Sequence, residues 1–472
     1  MIPYRDLLSR RDSPVPKAYN ESMDIQIVLI LTFQLLYISC IKLFFGRTSL
    51  GSKLILLQLT TQYLLVEFEV LGVPIRVLSS IFLAVYLLKC HFIFMSLSTL
   101  AKFCIYLWFI YLFIVIVSSL ANRDMFNSEM LNATQFVSRF GVSTLFFISL
   151  IFIPKTKLEL MMISGWIAII SISNTLVSWG QAMNYSLALE ISNFITPSMS
   201  SEKNYADGIA SDSVASGYIS ICYGCILFQF YYNYIKNRKK IMSVLFFILI
   251  FLSMSSAIPN LSRSSVVAMV LICIIGFNLN IYKHSLILRY LYMICYALFL
   301  FYVLKTTIDT SVGEGTVSTA RLQNFESEVR MDALWNSIDA VLNRPFFGGQ
   351  VEAYKSELYG NVAPHNCFAI SAVYNGIPAL IVMLLLYSVI ICYIIKIIKG
   401  KFVTTNYQIS FSICLGLLAY LIKGNFHNDT LARGGIMGMI LLGILISSEK
   451  LGSLTQIDPG QRCGPYPESR SI

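Results

Sequence analysis

Four histidines occur in the 472 residues, and one of them, His365, stands in a polar stretch directly before an apolar run, in Pro364-His365-Asn366-Cys367. An imidazole with an ordinary pKa of about 6.5 can take a proton from a hydroxyl at neutral pH, which suits His365 to general-base work at a membrane edge. His365 and Asn366 would equally suit a helix N-terminal cap that satisfies orphan amides, and the residue types alone leave both readings open. Arginines form the second constellation. Arg263 ends the polar step Asn260-Leu261-Ser262-Arg263, Arg321, Arg330 and Arg344 lie in the longest polar stretch, and Arg433 closes a later one. Guanidinium forks grip phosphate oxygens two at a time, so several at one membrane face suit a lipid diphosphate. A charge at the end of an apolar run either snorkels to the interface or is used, and Arg263 is in that position. For Arg321 and Arg344 a solvated loop is the plainer reading.

Other chemistry finds less support. Glu67 and Glu69 lie two apart in an apolar stretch, on different sides of a helix, which argues against a carboxylate pair but would fit a proton relay in a transporter. His427-Asn428-Asp429 reads as a solvated turn, with a base or ligand role as the alternative. Cys222 and Cys225 are the one close cysteine pair, inside an apolar run with no second pair near, and read as buried small hydrophobes. No His-Glu-x-x-His, carboxylate cluster or Cys/His array has metal-ligand spacing. Phosphate-loop and dinucleotide fingerprints are also missing from the sequence, so any reaction must draw on an activated substrate.

The elements that position these residues follow from composition. Hydrophobic residues make up 56% and charged ones 13%, far from the soluble norm of roughly 25% charged. Such a chain needs lipid as solvent, and at roughly 20 apolar residues per crossing the expected fold is all-α: a polytopic integral membrane helix bundle of about 12–13 spans. Candidate spans are 25–45, 54–71, 75–88, 103–120, 139–153, 159–179, 214–235, 241–256, 264–280, 286–304, 367–395, 409–422 and 434–448. The segment 75–88, after the breaker Gly72-Val73-Pro74, is the one that fails to cross if both ends share a side. Basic loops at Lys155 and Lys157, Lys236 to Lys240, Lys283, and Lys396 to Lys401 all fall on one side, the cytoplasm. Alternation then places 180–213, 305–366 and 423–433 outside.

The net charge of +10 is this orientation signal, because no basic stripe interleaves with exposed aromatics as nucleic-acid binding would require. Domain organisation is expected to be an N-terminal extension 1–24, one membrane domain 25–450 with the large loop 305–366, and a Pro/Gly/Ser-rich tail 451–472 expected to be disordered. The first apolar run is long enough to remain as an anchor, and Met23 is a second candidate start. Within the large loop, Met331, Leu334, Trp335, Ile338, Val341 and Leu342 recur at helical spacing before Pro345 and Gly348-Gly349. This predicts a short amphipathic helix lying on the bundle with its apolar side down.

Three of these features resemble the bacterial O-antigen ligase and polymerase superfamily of membrane glycan transferases. His365-Asn366 followed eleven residues on by Gly376 is similar to that family's loop-to-helix motif. Arg330, then Pro345 fifteen residues later and Phe346-Phe347-Gly348-Gly349, resembles its pattern of Arg, short helix, Asn-Pro, apolar residue and Gly, with Arg344 in place of Asn. Ser262-Arg263-Ser264 resembles its Ser-Arg-Gly step. Two departures stand out: Ala369 occupies a position where ligases often carry Leu, and the stretch from Lys203 to Gly217 has no arginine where many relatives have one, with Lys203 as a substitute.

The resemblance implies a transfer of a glycan from undecaprenyl diphosphate at the periplasmic face of the inner membrane, without metal or cofactor. His365 would be catalytic, Arg263, Arg330 and Arg321 would hold the substrate diphosphate, and Asn366 and Gly376 would support them. The acceptor would be a hydroxyl of a second lipid-linked repeat for a polymerase or of lipid A core for a ligase. A flippase and a chain-length regulator are the implied partners, besides membrane lipid and with no nucleic acid. Ala369 tilts the resemblance toward polymerase. A polysaccharide flippase or transporter remains the alternative of another class.

Overall fold

In a computed structural model of the protein, the residues described are 48–64, 69–70, 73–90, 96–122, 136–183, 185–188, 191, 208–209, 213–260, 263–281, 327–349, 366–398, 407–425 and 431–454. The chain divides into Met1–Thr48 and Ser49–Ile472, and the architecture below is that of the second unit. Its described residues form an all-α bundle apart from one pair of two-residue strands.

The helices are α1 (Leu50–Tyr63), α2 (Ile75–Leu88), α3 (Thr99–Ala121), α4 (Val142–Phe152), α5 (Lys157–Ala182), α6 (Ser213–Gly224), α7 (Leu227–Lys236), α8 (Lys240–Met254), α9 (Arg263–Ile281), α10 (Ser327–Asn343), α11 (Cys367–Ile398), α12 (Tyr407–Gly424) and α13 (Ile436–Leu454). Among the described residues, five helical segments are long and apolar enough to cross a membrane: Thr99–Ala121, Lys157–Ala182, Lys240–Ala257, Cys367–Ile398 and Tyr407–Gly424. Several carry a continuous apolar stripe on the outside. On α3 the exposed residues Phe103, Tyr106, Ile110, Phe113 and Leu120 follow helical spacing, and on α11 Ile377, Ile381, Leu384, Ile391 and Ile395 do the same. Outward apolar stripes of this kind suit a helical membrane bundle, whose solvent is hydrocarbon.

Every apolar run expected to form a helix within the described residues contains one; 25–45 and 286–304 lie outside those residues. Two differ in form. The run 54–71 ends its helix at Tyr63, and Glu69–Val70 then pairs antiparallel with Val73–Pro74. The β-branched Val70 and Val73 favour strand pairing over continued helix. Glu69 therefore sits on a strand, and the helical spacing argued for it and Glu67 does not apply; Glu67 lies outside the described residues. The run 214–235 breaks at Cys225–Ile226 into α6 and α7.

Small polar side chains bind the helices where apolar packing alone gives no direction. Between α5, α6 and α8, Asn174 Nδ2 donates to the Ser216 carbonyl at 2.9 Å and to Ser220 Oγ at 2.6 Å, and Thr175 Oγ1 donates to the Ser253 carbonyl at 2.6 Å. The same Asn174 accepts the Ile209 amide through Oδ1 at 2.9 Å. At the opposite end of α13, Glu449 accepts from Ser98 Oγ at 2.8 Å and from the Tyr393 hydroxyl, joining α3, α11 and α13.

Candidate functional site

Helix α11 is opened by Asn366. Its Oδ1 accepts the amides of Phe368 and Ala369 at 2.9 and 3.2 Å, the second and third positions of the helix. This is N-cap geometry, which satisfies two of the orphan donors at a helix start. Asn366 thus fills the capping role that the residue types allowed; His365, one residue earlier, lies outside the described residues. The Asn366 Nδ2 reaches Asn425 Oδ1 at 3.4 Å, so the start of α11 lies beside the end of α12.

Nine residues into α11 the helix breaks. Gly376 takes φ 86° and ψ 178°, and Pro378 follows with no amide to donate. The segment after α10 occupies the break: Ile377 N donates to the Pro345 carbonyl at 2.7 Å, and Gly349 N donates to the Val373 carbonyl at 2.8 Å. Backbone bonds that a continuous helix would make internally are made to this loop instead. From α3, Asn122 Nδ2 donates to the Phe347 carbonyl at 3.2 Å, and Ser118 Oγ lies within reach of the Phe347 and Tyr374 carbonyls. The Pro345, Gly348-Gly349 and Gly376 elements, more than twenty-five residues apart in the chain, meet at one point.

Helix α10, expected from its periodicity, is present over Ser327–Asn343 and packs on α11. Its apolar side is covered by the bundle only in part. Ser337 and Ala340 are buried, while Trp335, Ile338 and Leu342 are 61%, 44% and 68% exposed. Small residues allow the two helix backbones to approach, and the larger Ile338 and Leu342 beside them line the open cleft that remains against α11. Between α10 and the first turns of α11 runs an open cavity of about 280 Å³, walled by Ile338, Val341, Leu342, Phe368, Ala372 and Leu380, with Asn366 at its margin.

The sequence-derived arginines distribute as follows. Arg263 is the first residue of α9 and Arg330 is in the first turn of α10; the side chains of both, and the whole of Arg321, lie outside the described residues. The start of α9 shares an end of the bundle with the start of α11. Asn260, three residues before Arg263, donates to Ser216 Oγ at 3.1 Å near the beginning of α6, and further along the Tyr232 hydroxyl of α7 donates to the Gly276 carbonyl of α9. The early α12 residue Phe411 packs at a tilt against that same Tyr232, ring centroids 5.7 Å apart, so α12 runs the opposite way and finishes where α9 begins. The 3-10 turn Leu431–Arg433 joins this end too, because the Tyr111 hydroxyl of α3 donates to the Ala432 carbonyl at 2.9 Å.

One charged residue escaped the sequence reading. Lys423 was counted in the loop 423–433, yet α12 continues to Gly424 and Lys423 is fully buried. Its Nζ stands 5.8 Å from the centroid of the Tyr420 ring, a cation–π arrangement strengthened by desolvation. It lies two residues before Asn425 and hence next to the cap of α11. The available signal was a lysine flush against the apolar run Leu417 to Ile422, where an interior charge marks a site by default. Cys222 and Cys225 are both buried free thiols, and among the described residues no three His, Cys, Asp or Glu side chains gather in a way that could hold a metal ion.

Comparison with known proteins finds no matching protein-family model and no match among curated proteins.

Proposed function

We propose that the protein is an O-antigen polymerase-like glycan transferase of the bacterial inner membrane, acting at the periplasmic face on undecaprenyl-diphosphate-linked substrates. The observation that carries this reading is the locking of Pro345–Gly349 into the break at Gly376. It joins the helix that carries Arg330 to the helix that Asn366 opens, the residue after His365 in the chain, which supports reading these distant motif elements as one unit. The α9 start with Arg263 at the same end supplies the third element.

On this reading the bundle has 12 or 13 spans, and the loops 180–213, 305–366 and 423–433 lie in the periplasm. The acceptor hydroxyl oxygen attacks the anomeric carbon of the lipid-linked sugar. As that C–O bond forms, the bond from the anomeric carbon to the diphosphate oxygen breaks, and its electron pair leaves with the diphosphate. His365 takes the hydroxyl proton. Arg263 and Arg330, with Arg321, neutralise charge growing on the departing diphosphate, the electrostatic contribution that is usually largest in such transfers. Direct displacement inverts the anomeric configuration.

The test is to substitute His365, Arg263 and Arg330 singly by Ala in the native strain and to examine lipopolysaccharide on a gel. Loss of polymerase activity leaves a single repeat on the core. Bare core with long lipid-linked chains accumulating indicates a ligase instead, and lipid-linked repeats stranded on the cytoplasmic leaflet of a deletion strain indicate a transporter. Full-length ladders in all three variants at normal expression would falsify the site.

A further inference from the structure

We infer that the cavity at the Glu449 end of the bundle is a binding site for the headgroup of a zwitterionic membrane lipid with a primary ammonium, as in phosphatidylethanolamine. The inference does not use the transferase reading and needs only a helix bundle in lipid. The cavity, of about 190 Å³, lies between the segment that leads into α3 and the last turns of α13, and its walls are Ser96, Leu97, Ser98, Ile446, Glu449 and Lys450.

The first observation is the pair of opposite charges in its wall. Glu449 selects the ammonium. Its Oε2 accepts from Ser98 Oγ at 2.8 Å and from the Tyr393 hydroxyl of α11, and Ser98 is itself fixed as the cap of α3, where its Oγ accepts the Ala101 amide at 3.2 Å. One carboxylate oxygen is thus held in place, and among the described residues no group donates to the other, Oε1. Bonds from a charged donor to a carboxylate are the strong ones, and a primary ammonium brings three N–H donors where a quaternary one brings none. Lys450 lines the same cavity, with its Nζ donating to the Ile151 carbonyl at 2.9 Å. A lone cation would be opposed by this ammonium and a lone anion by the carboxylate; a headgroup that carries both charges complements both.

The second observation is the place of the cavity in the fold. It lies at helix ends, since Ser98 caps α3 and Glu449 stands in the last two turns of α13. The helices beside it carry apolar side chains outward: Phe103 and Tyr106 early in α3 are exposed, as are Ile391 and Ile395 on either side of Tyr393 in α11. A polar cavity at the ends of such helices is at headgroup depth, and acyl chains lie against the apolar stripes that continue from it. A soluble zwitterion would fill the cavity and leave those stripes without a partner. The ligand is also distinct from the glycan carrier, whose diphosphate has no ammonium and whose proposed site is at the other end of α13.

The experiment offers the full chain in detergent an equimolar mixture of phosphatidylethanolamine, its N-methyl and N,N-dimethyl forms, phosphatidylcholine and phosphatidylglycerol, all with the same acyl chains, and reads the retained lipids by native mass spectrometry. Phosphatidylethanolamine is expected to be retained about tenfold over phosphatidylcholine and phosphatidylglycerol, with retention falling as each methyl group removes a donor. E449Q removes the preference, and K450M weakens retention of all the zwitterionic lipids alike. Equal retention of phosphatidylethanolamine and phosphatidylcholine by the wild type overturns the inference without recourse to a variant, and so does an E449Q protein with a normal thermal transition that keeps the preference. Millimolar O-phosphoethanolamine is expected to leave the lipid in place; displacement would make the ligand a soluble one and overturn the lipid assignment. Farnesyl diphosphate is likewise expected to displace nothing, and displacement by it would make the cavity a carrier site and overturn the inference. Transfer is not measured, so these outcomes leave the transferase reading untouched, whereas unchanged polysaccharide in H365A overturns that reading alone.

Discussion

Gly348 and Gly376 interlock. Both hold positive φ, 61° and 86°, and each faces the other's backbone: a side chain on Gly348 would come within 2.5 Å of the Tyr374 carbonyl carbon, and one on Gly376 would overlap the Phe346 carbonyl. The pair explains why glycine is needed at both places, since left-handed backbone and close approach coincide there. It also explains how a helix interrupted by Gly376 and Pro378 stays fixed in place.

G376A is accordingly expected to destabilise the protein by at least about 2 kcal/mol, the backbone strain alone being of order 1–3 kcal/mol and the clash with Phe346 adding to it. Thermal unfolding in detergent, followed by circular dichroism, reads the effect. I381A, on the exposed stripe of the same helix, serves as a comparison and should shift the transition far less. Equal shifts for the two would mean that the interlock contributes nothing.

Asn366 has a cap to lose and a substrate position to keep. N366A is expected to cost about 1 kcal/mol through the lost bonds to Phe368 and Ala369, and N366D to keep the cap, because a carboxylate accepts the same amides. N366D should nevertheless lose glycan transfer, since it places negative charge where a diphosphate is proposed to sit. Wild-type polysaccharide from a stable N366D protein would reduce Asn366 to a cap.

Lys423 is expected to matter for activity more than for folding. K423M keeps the volume and removes a buried charge, a change that is often neutral or stabilising in a well-packed interior. Transfer should fall at least tenfold while unfolding in detergent is unchanged or occurs at higher temperature. A K423M protein that is fully active would make Lys423 a packing residue held over Tyr420.

Helix α10 should contact lipid through the face that carries Trp335, Ile338 and Leu342. With the other three of the four tryptophans replaced, Trp335 emission in nanodiscs is expected to be quenched by lipids brominated near the headgroup and less by lipids brominated at the chain end. Emission indifferent to bromine at any depth would place this face in water.

The Glu449 cluster gives a contrasting expectation, because it sits at the other end of α13 from the site. Y393F removes one hydroxyl that donates to Glu449 while Ser98 still donates to it, and should cost about 1–2 kcal/mol of stability. Specific transfer activity per folded protein should not change. A selective loss of activity would reveal coupling between the two ends.

The sequence by itself determined what depends on local pattern. Apolar runs of membrane length required helices, and the periodicity from Met331 to Leu342 placed α10 to the residue range at which it is found. The capping capacity of Asn366 was likewise legible, because an amide before an apolar run satisfies helix amides whatever surrounds it. Tertiary structure decided everything that depends on which backbone approaches which. Gly376 and Pro378 mark a break locally, but nothing local announces that Pro345 fills it, since the compensating bonds come from a loop about thirty residues earlier. Periodicity identified the apolar side of α10 but not how far it is covered, because the small residues Ser337 and Ala340 set the closest approach and leave Ile338 and Leu342 lining an open cleft against α11. Lys423 was hidden for a similar reason: two extra helical residues, at an end packed against α11, carried a loop lysine into the interior.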